Sequence, residues 1–134
     1  MTPRTLLPMA AALVCMSVAA TYADPANLQR FELANTQITL HQHGFLNDEE
    51  LATLRLVGQN EEALALFLPE GSGFGALAVA PADGFIRNGM PAASAVALSD
   101  LPDMERAKQA AIAECNSLRS GGRACEIVLE IAPR

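Results

Sequence analysis

Basic residues are scarce in this chain of 134 residues, which has nine lysines and arginines against 15 aspartates and glutamates and a formal net charge of −6. Lys108 is the only lysine. Proteins that bind nucleic acid or anionic membranes carry clustered Lys and Arg side chains. The sequence therefore predicts neither partner, and its acidic balance mainly favours solubility.

A long apolar run is also missing. The run from Leu6 to Ala20 contains Pro8 and is shorter than the roughly 20 apolar residues that a membrane-spanning helix needs. A basic start, a short apolar run and a small residue before the first aspartate are typical of a cleaved secretory signal peptide. We predict a signal peptide at residues 1–23, with cleavage after Ala20 as the alternative, and no membrane span in the mature chain.

Cleavage would leave residues 24–134, which are enough for a single small domain. It would also remove Arg4, so that 8 basic and 15 acidic residues give the mature chain a net charge of −7. The expected location is the periplasm or the extracellular medium.

Cysteine is rare, and its distribution follows from the predicted export. Cys15 lies in the predicted signal, where a lipoprotein signal is the alternative, although Val14 is not the small residue expected there. Cys115 and Cys125 remain, and an even count in an exported chain predicts a disulfide. Closing this ring of 11 residues is worth about 2.7 kcal/mol in the chain-entropy model. A zinc site needs four ligands, and we expect neither a metal nor another cofactor.

The clearest helix start is Asn47, because Glu50 three residues later completes a capping box. This pattern predicts a helix over residues 48–57 that ends at Gly58. Residues 60–68 fit either a short helix or a strand, and we favour the helix. The carboxylates of Asp48 to Glu50 and of Glu61 and Glu62 are interpreted as a solvated face rather than as acid/base pairs.

Alternating apolar residues predict strands over residues 36–41 and 124–131, the latter with Ile127, Leu129 and Ile131 on one face. A compact apolar run predicts a buried strand over residues 74–80, and residues 95–98 fit either a short strand or an extended approach to the next helix. An apolar stripe at helical spacing predicts a second long helix. The predicted helix is capped by Asp100, has Pro102 in its first turn and carries Met104, Ala107, Ala111, Cys115 and Leu118 as its apolar stripe. Residues 24–30 are expected to be a loose polar lead, and residues 85–91 a loop.

Together these elements predict an α+β fold, a small and largely antiparallel sheet packed by one or two helices and joined by one disulfide. That disulfide would tie the end of the last helix to the start of the last strand.

Few residues suggest chemistry. His41 and His43 are the only histidines, and at i and i+2 on a strand they would point the same way, as in some metal sites. A metal site needs a third ligand, and the nearby carboxylates of Asp48 to Glu50 are expected to cap the helix, so a solvated strand end is favoured over a metal site. Arg119 and Arg123 flank the Gly-Gly step inside the predicted disulfide ring, and this small basic loop is the preferred candidate for contacting a partner.

Residues 74–131 resemble an uncharacterised family of small exported bacterial proteins. The resemblance is carried by Gly75-Ala76, Ala78-Val79, Pro81, Gly84, Ala107, Ala110, Ala111, Cys115 and Cys125. The helix from Asn47 to Val57 is similar to that of short alphaproteobacterial exported proteins, some of which carry the automatic label 5-aminolevulinic acid synthase. That activity needs a large enzyme with pyridoxal phosphate on a lysine Schiff base. Lys108 on a surface helix of so small a chain does not fit it.

Three functions remain open from the sequence. The first is a periplasmic protein-binding or inhibitory module that acts on another periplasmic or extracellular protein through the Arg119 to Arg123 loop. The second is an envelope structural protein without a discrete site. The third, least favoured, is a small metal-dependent enzyme that uses His41 and His43, so that we lean against an enzyme.

Overall fold

The computed structural model describes residues 27–68 and 73–134. The predicted signal peptide with its cleavage site and Cys15 lie outside these ranges, as do residues 24–26 and 69–72. No helix in the two described ranges is long and apolar enough to cross a membrane.

Seven strands and three helices make up the described chain. In chain order they are β1 (Leu28–Leu33), β2 (Thr36–His41), α1 (Asp48–Gln59), α2 (Glu61–Phe67), β3 (Phe74–Val79), β4 (Ile86–Arg87), β5 (Met90–Pro91), β6 (Val96–Leu101), α3 (Met104–Leu118) and β7 (Glu126–Pro133). Five strands form one antiparallel sheet in the order β1-β2-β7-β3-β6, and β4 pairs with β5 in a small hairpin. The predicted α+β fold is confirmed.

Strand β3, which lies between β7 and β6, separates two apolar clusters. Ala76 and Ala78 of this strand, and Ala80 directly after it, are fully buried in a cluster with Ala107 and Ala111 of α3. Its larger residues Leu77 and Val79 belong to a second cluster, which includes Leu54 and Val57 of α1 together with residues of β2 and β7. Since successive side chains of a strand point to opposite faces, α3 covers one face of the sheet and α1 covers the other.

Strand β7 departs from the expected alternation. Ile127 pairs with Ala78 and Leu129 pairs with Leu77, so the register shifts between these two positions. Ile127 lies in the α3 cluster, whereas Val128, Leu129 and Ile131 lie in the cluster under α1. The prediction that Ile127 shares a face with Leu129 and Ile131 was therefore wrong, because a β-bulge inserts one residue and changes the face that follows it.

The start of α1 is confirmed, and its end is corrected. Asn47 Oδ1 accepts a hydrogen bond from Glu50 N at 2.8 Å, and Asn47 N donates to Glu50 Oε1 at 3.0 Å, so the capping box is present. The helix does not stop at Gly58 but continues to Gln59. Gly58 instead gives room to the ring of Phe31, because a Cβ at this position would lie 2.7 Å from the ring.

A second prediction in this region was wrong. Glu50 does not belong to a solvated face, because its side chain is buried (3% exposed). Its Oε2 atom accepts hydrogen bonds from Phe85 N and from Ile86 N, the latter at 2.9 Å. One carboxylate thus caps α1 and holds the chain at the start of the β4–β5 hairpin. The donors lie 35 and 36 residues along the chain, which a local pattern does not reveal.

Several other elements also differ from the predicted ones. Residues 28–33 form an edge strand instead of a loose lead, and residues 85–91 contain the small hairpin. The helix N-cap is Asp103, whose carboxylate accepts from Arg106 N, and not Asp100, which lies within β6. Pro102 consequently precedes the helix. Residues 61–67 form a short helix, as predicted, and not a strand. Strands β2 and β3 lie where predicted.

We expect Glu50→Gln to lower the free energy of unfolding by about 1–3 kcal/mol, because an amide nitrogen would replace one of two acceptors that face backbone N–H groups. Denaturant unfolding measures the change. Glu49→Gln, at an exposed position in the same helical turn, is the matched control and should change stability little. Equal losses in both variants would show that the buried contacts of Glu50 are not stabilising.

Candidate functional site

The disulfide between Cys115 and Cys125 is present and confirms the predicted pairing. Cys115 lies in the last turn of α3, and Cys125 directly precedes β7. Both residues are buried, with 0% and 4% of their surface exposed, in the apolar cluster under α3. Asn116 Oδ1 accepts a hydrogen bond from Cys125 N at 2.8 Å. This is a second link, beside the disulfide, between the end of α3 and the start of β7. Residues 119–124 between these two fixed ends are called the clamped loop below.

A carboxylate from elsewhere in the fold holds the clamped loop at its start. Asp83 is buried (8% exposed) and accepts hydrogen bonds from the Ser120 hydroxyl, from Ser120 N at 3.2 Å and from the Ser94 hydroxyl at 2.7 Å. The side-chain hydrogen bond from Ser120, followed by that from Ser94, holds the pKa of Asp83 below its usual value. The loop is thereby attached to the turn that follows β3.

The two arginines predicted as a pair differ in the structure. Arg119 folds back over the loop, where its Nη1 atom donates a hydrogen bond to Gly122 O, and it is half-buried. Arg123 is exposed, as are Ser120, Gly121 and Gly122. The structure therefore makes Arg119 an internal brace of the loop and leaves Arg123 to project from it.

An apolar side chain and a small cavity lie beside the clamped loop. Leu118 was predicted to belong to the buried apolar stripe of α3, but it is 52% exposed. It is the last residue of the helix and lies beyond Cys115, the last buried one. It lines a cavity of about 140 Å³ together with Asp83, Arg87, Ala92, Ala93, Ser94 and Ser120. This end of the molecule thus combines exposed cationic groups with an exposed leucine.

His41 and His43 lie together at the end of β2, as predicted. Their rings stack with centroids 5.9 Å apart, and the ring of His43 stacks on Phe45 at 5.1 Å. His41 Nε2 lies 3.0 Å from Glu130 Oε2, and His43 Nε2 lies 2.7 Å from Ile127 O. Only 20% and 28% of the two side chains are exposed. The expectation of a solvated strand end was wrong, because groups of β7 lie beside both rings.

Within residues 27–68 and 73–134 no group of three or more His, Cys, Asp or Glu side chains is placed to hold a metal ion. His43 Nδ1 lies 3.7 Å from Glu126 Oε2, and the other nitrogen faces a backbone carbonyl. These contacts use both nitrogens of His43 within the fold.

Glu130 is the centre of a small charged cluster on the α3 face. Lys108 Nζ lies 3.1 Å from Glu130 Oε1 and 3.7 Å from Glu105 Oε1. The pKa of Glu130 is lowered to about 2. The hydrogen bond to His41 is the largest cause, and together with the hydrogen bond and charge of Lys108 it outweighs the opposing effect of burial. Burial opposes the charged form of Lys108, but the hydrogen bond and charge of Glu130, with those of Glu105, raise its pKa. The only lysine therefore takes part in a structural ion pair.

The same face of the sheet is open beyond the edge of α3. This helix packs chiefly on β3, β6 and β7. A groove of about 360 Å³ lies over the uncovered part and is lined by Arg30, Gln37, Thr39, Phe74, Met104, Glu130 and Ala132. Thr39 pairs with Arg30 on one neighbouring strand and with Glu130 on the other, so these three side chains form a polar row across the sheet. No local pattern in the sequence indicates this row, because its members come from three strands.

Comparison with known proteins finds no matching family model, no matching curated protein and no matching solved structure. The resemblance in residues 74–131 accordingly stays a prediction.

We expect the stability of the protein to fall with acid between about pH 4.5 and pH 2 through Glu130. A folded-state pKa below the ordinary value means that the unfolded chain takes up the proton first, so the stabilisation is complete above pH 4.5 and is lost as the pH falls through 2. The difference between 4.5 and about 2 corresponds to about 3 kcal/mol.

Urea unfolding of the wild-type protein and of Glu130→Gln over this pH range tests the linkage. The two proteins should differ most near neutral pH and converge near pH 2. Glu105→Gln is the control, since Glu105 also contacts Lys108 but its side chain is 75% exposed. A difference between wild type and Glu130→Gln that is the same at every pH would contradict the assignment.

Proposed function

We propose that this chain is an exported, non-enzymatic module that binds another protein of the periplasm or extracellular medium through the clamped loop. The observation that carries the proposal is the anchoring of one short exposed loop by three separate devices. These are the Cys115–Cys125 disulfide, the buried Asp83 carboxylate and the folded-back Arg119 side chain.

A fixed loop is suited to binding because association costs conformational entropy wherever the binding groups must be ordered. An immobilised side chain costs about 0.5–1.5 kcal/mol, and rigid loops avoid much of this cost. Two glycines, Gly121 and Gly122, both have positive φ, a conformation that glycine adopts without strain. The sequence of the clamped loop is thus compatible with its shape before any partner arrives.

The chemistry of the loop indicates the kind of partner. Arg123 projects from it, Arg87 is exposed nearby on the rim of the 140 Å³ cavity, and Leu118 offers an apolar contact. This is a cationic patch with an apolar neighbour on a chain whose formal net charge is −6. An acidic surface site with an apolar side chain near its centre complements it, and the charge term should weaken as salt is added.

Export is part of the proposal, and two observations support it. A buried disulfide is typical of proteins that fold in oxidising compartments. The residues at 1–23 have the pattern of a secretory signal peptide.

We expect the oxidised protein to capture a specific partner from a periplasmic extract and to bind the purified partner about tenfold more tightly than Arg123→Glu does. Titration by calorimetry at low and high salt measures both affinities. Arg106→Glu is the matched control, because it makes the same charge change at an exposed site in the first turn of α3, about 20 Å along the helix from the loop.

Equal affinities of wild type and Arg123→Glu would show that the loop is not the binding surface. Failure to capture any specific partner would favour the alternative of an envelope structural protein. Turnover of a substrate that is lost in a His41→Ala, His43→Ala double variant would favour the enzyme alternative.

A further inference from the structure

Strand β1 is an edge strand with one side unpaired. It pairs with β2 and with no other strand of the described residues. Its six residues are all in register with β2, from Leu28 opposite His41 to Leu33 opposite Thr36. A regular edge of this length offers a row of free N–H and C=O groups, which are a template for pairing with another strand.

The hydrogen bonds identify which groups point outwards. Gln42 N donates to Asn27 O at 2.8 Å, so Asn27 faces β2. Hydrogen-bonded and non-hydrogen-bonded pairs alternate along an antiparallel ladder. The backbone groups of Gln29, Phe31 and Leu33 therefore also face β2, and those of Leu28, Arg30 and Glu32 point away from the sheet.

We propose that two copies of this chain form a dimer by antiparallel pairing of β1 with β1, with the two-fold axis at Phe31. This register places Arg30 of each copy opposite Glu32 of the other. Both residues have outward backbone groups, so they form hydrogen-bonded pairs on either side of the axis. The five-stranded sheets then join into one sheet of ten strands.

Charge complementarity favours this register. Charged residues on an edge strand commonly prevent pairing, but Arg30 and Glu32 have opposite signs and are two residues apart, so one register aligns them favourably twice. Arg30 has no ion pair with any described residue and is exposed. Glu32 lies 3.3 Å from Arg134 Nη1, and both side chains are at least half exposed. A second guanidinium from the other copy can approach the same carboxylate.

The layers of the fold leave room for the joined sheet. Opposed residues of an antiparallel pair point to the same face, so α1 of both copies lies on one side. Because α1 packs over β1 and β2 and strands are about 4.8 Å apart, the two α1 helices would lie about 10 Å apart, the usual distance of packed helices. On the other side both open grooves adjoin the new seam, and Arg30 of each copy lines one of them.

Sedimentation velocity over a wide concentration series tests the proposal with the full protein. The wild type should show a monomer–dimer equilibrium. Arg30→Glu and Glu32→Arg each place two like-charged pairs across the axis and should weaken dimerisation about tenfold. The double variant R30E/E32R exchanges the charges and should restore the wild-type affinity. Arg134→Ala removes only the ion pair within one chain and should leave the dimer intact.

Amide hydrogen exchange supplies a second measurement that needs no substitution. The N–H groups of Arg30 and Glu32 should exchange more slowly as the protein concentration rises, whereas those of exposed Gly121 should not change. A monomer at every concentration overturns the proposal. So does a dimer whose affinity is the same in both single variants, since it must then form through another surface.

Discussion

The side chains of β3 differ in size between its two faces, and the packing of the helices on the two faces of the sheet depends on this difference. Ala76 and Ala78, with Ala80 directly after the strand, meet the small residues of α3, so this helix lies close to the sheet. Leu77 and Val79 meet the larger residues of α1, α2 and the β4–β5 hairpin on the other face. A strand with large residues on both sides would push α3 outwards and move Cys115 away from Cys125. The position of the disulfide, and with it that of the clamped loop, thus depends on the alternation of small and large side chains along β3.

Local signals in the sequence predicted those parts of the fold whose partners are near in the chain. The capping box of α1 spans three residues, the apolar alternation of β2 repeats every two, β3 is a compact apolar run, and the cysteine pair follows from counting. The contacts that sequence reasoning missed join distant residues. Glu50 looked like one of several surface acids because its buried donors are 35 and 36 residues away. The bulge in β7 was hidden because Ile127, Leu129 and Ile131 alternate perfectly in sequence.

The candidate site shows the same limit. Arg119 and Arg123 are equivalent in sequence, and only the hydrogen bond to Gly122 O distinguishes an internal brace from a projecting group. Asp83 and Ser94 are unremarkable until the fold brings them to Ser120. For the histidines, spacing correctly placed both rings side by side, but their partners on β7 could not be identified without the strand order. Edge strand β1 was missed because its alternation of charged and apolar residues covers only residues 30–33, while Leu28 and Gln29 do not continue it.

Strand β7 follows every other described element in the sequence and occupies the middle of the sheet, between β2 and β3. Each of these neighbours is made long before it, and β2 ends 85 residues before β7 begins. A ribosome that makes the chain from its N-terminus therefore supplies the central strand only after both of its neighbours. Until β7 is present, the hairpin of β1 and β2 cannot pair with β3 and β6, because β7 is the strand that joins them. The arrival of β7 is thus the event that permits this sheet to close, because contacts of such long sequence separation form slowly and late.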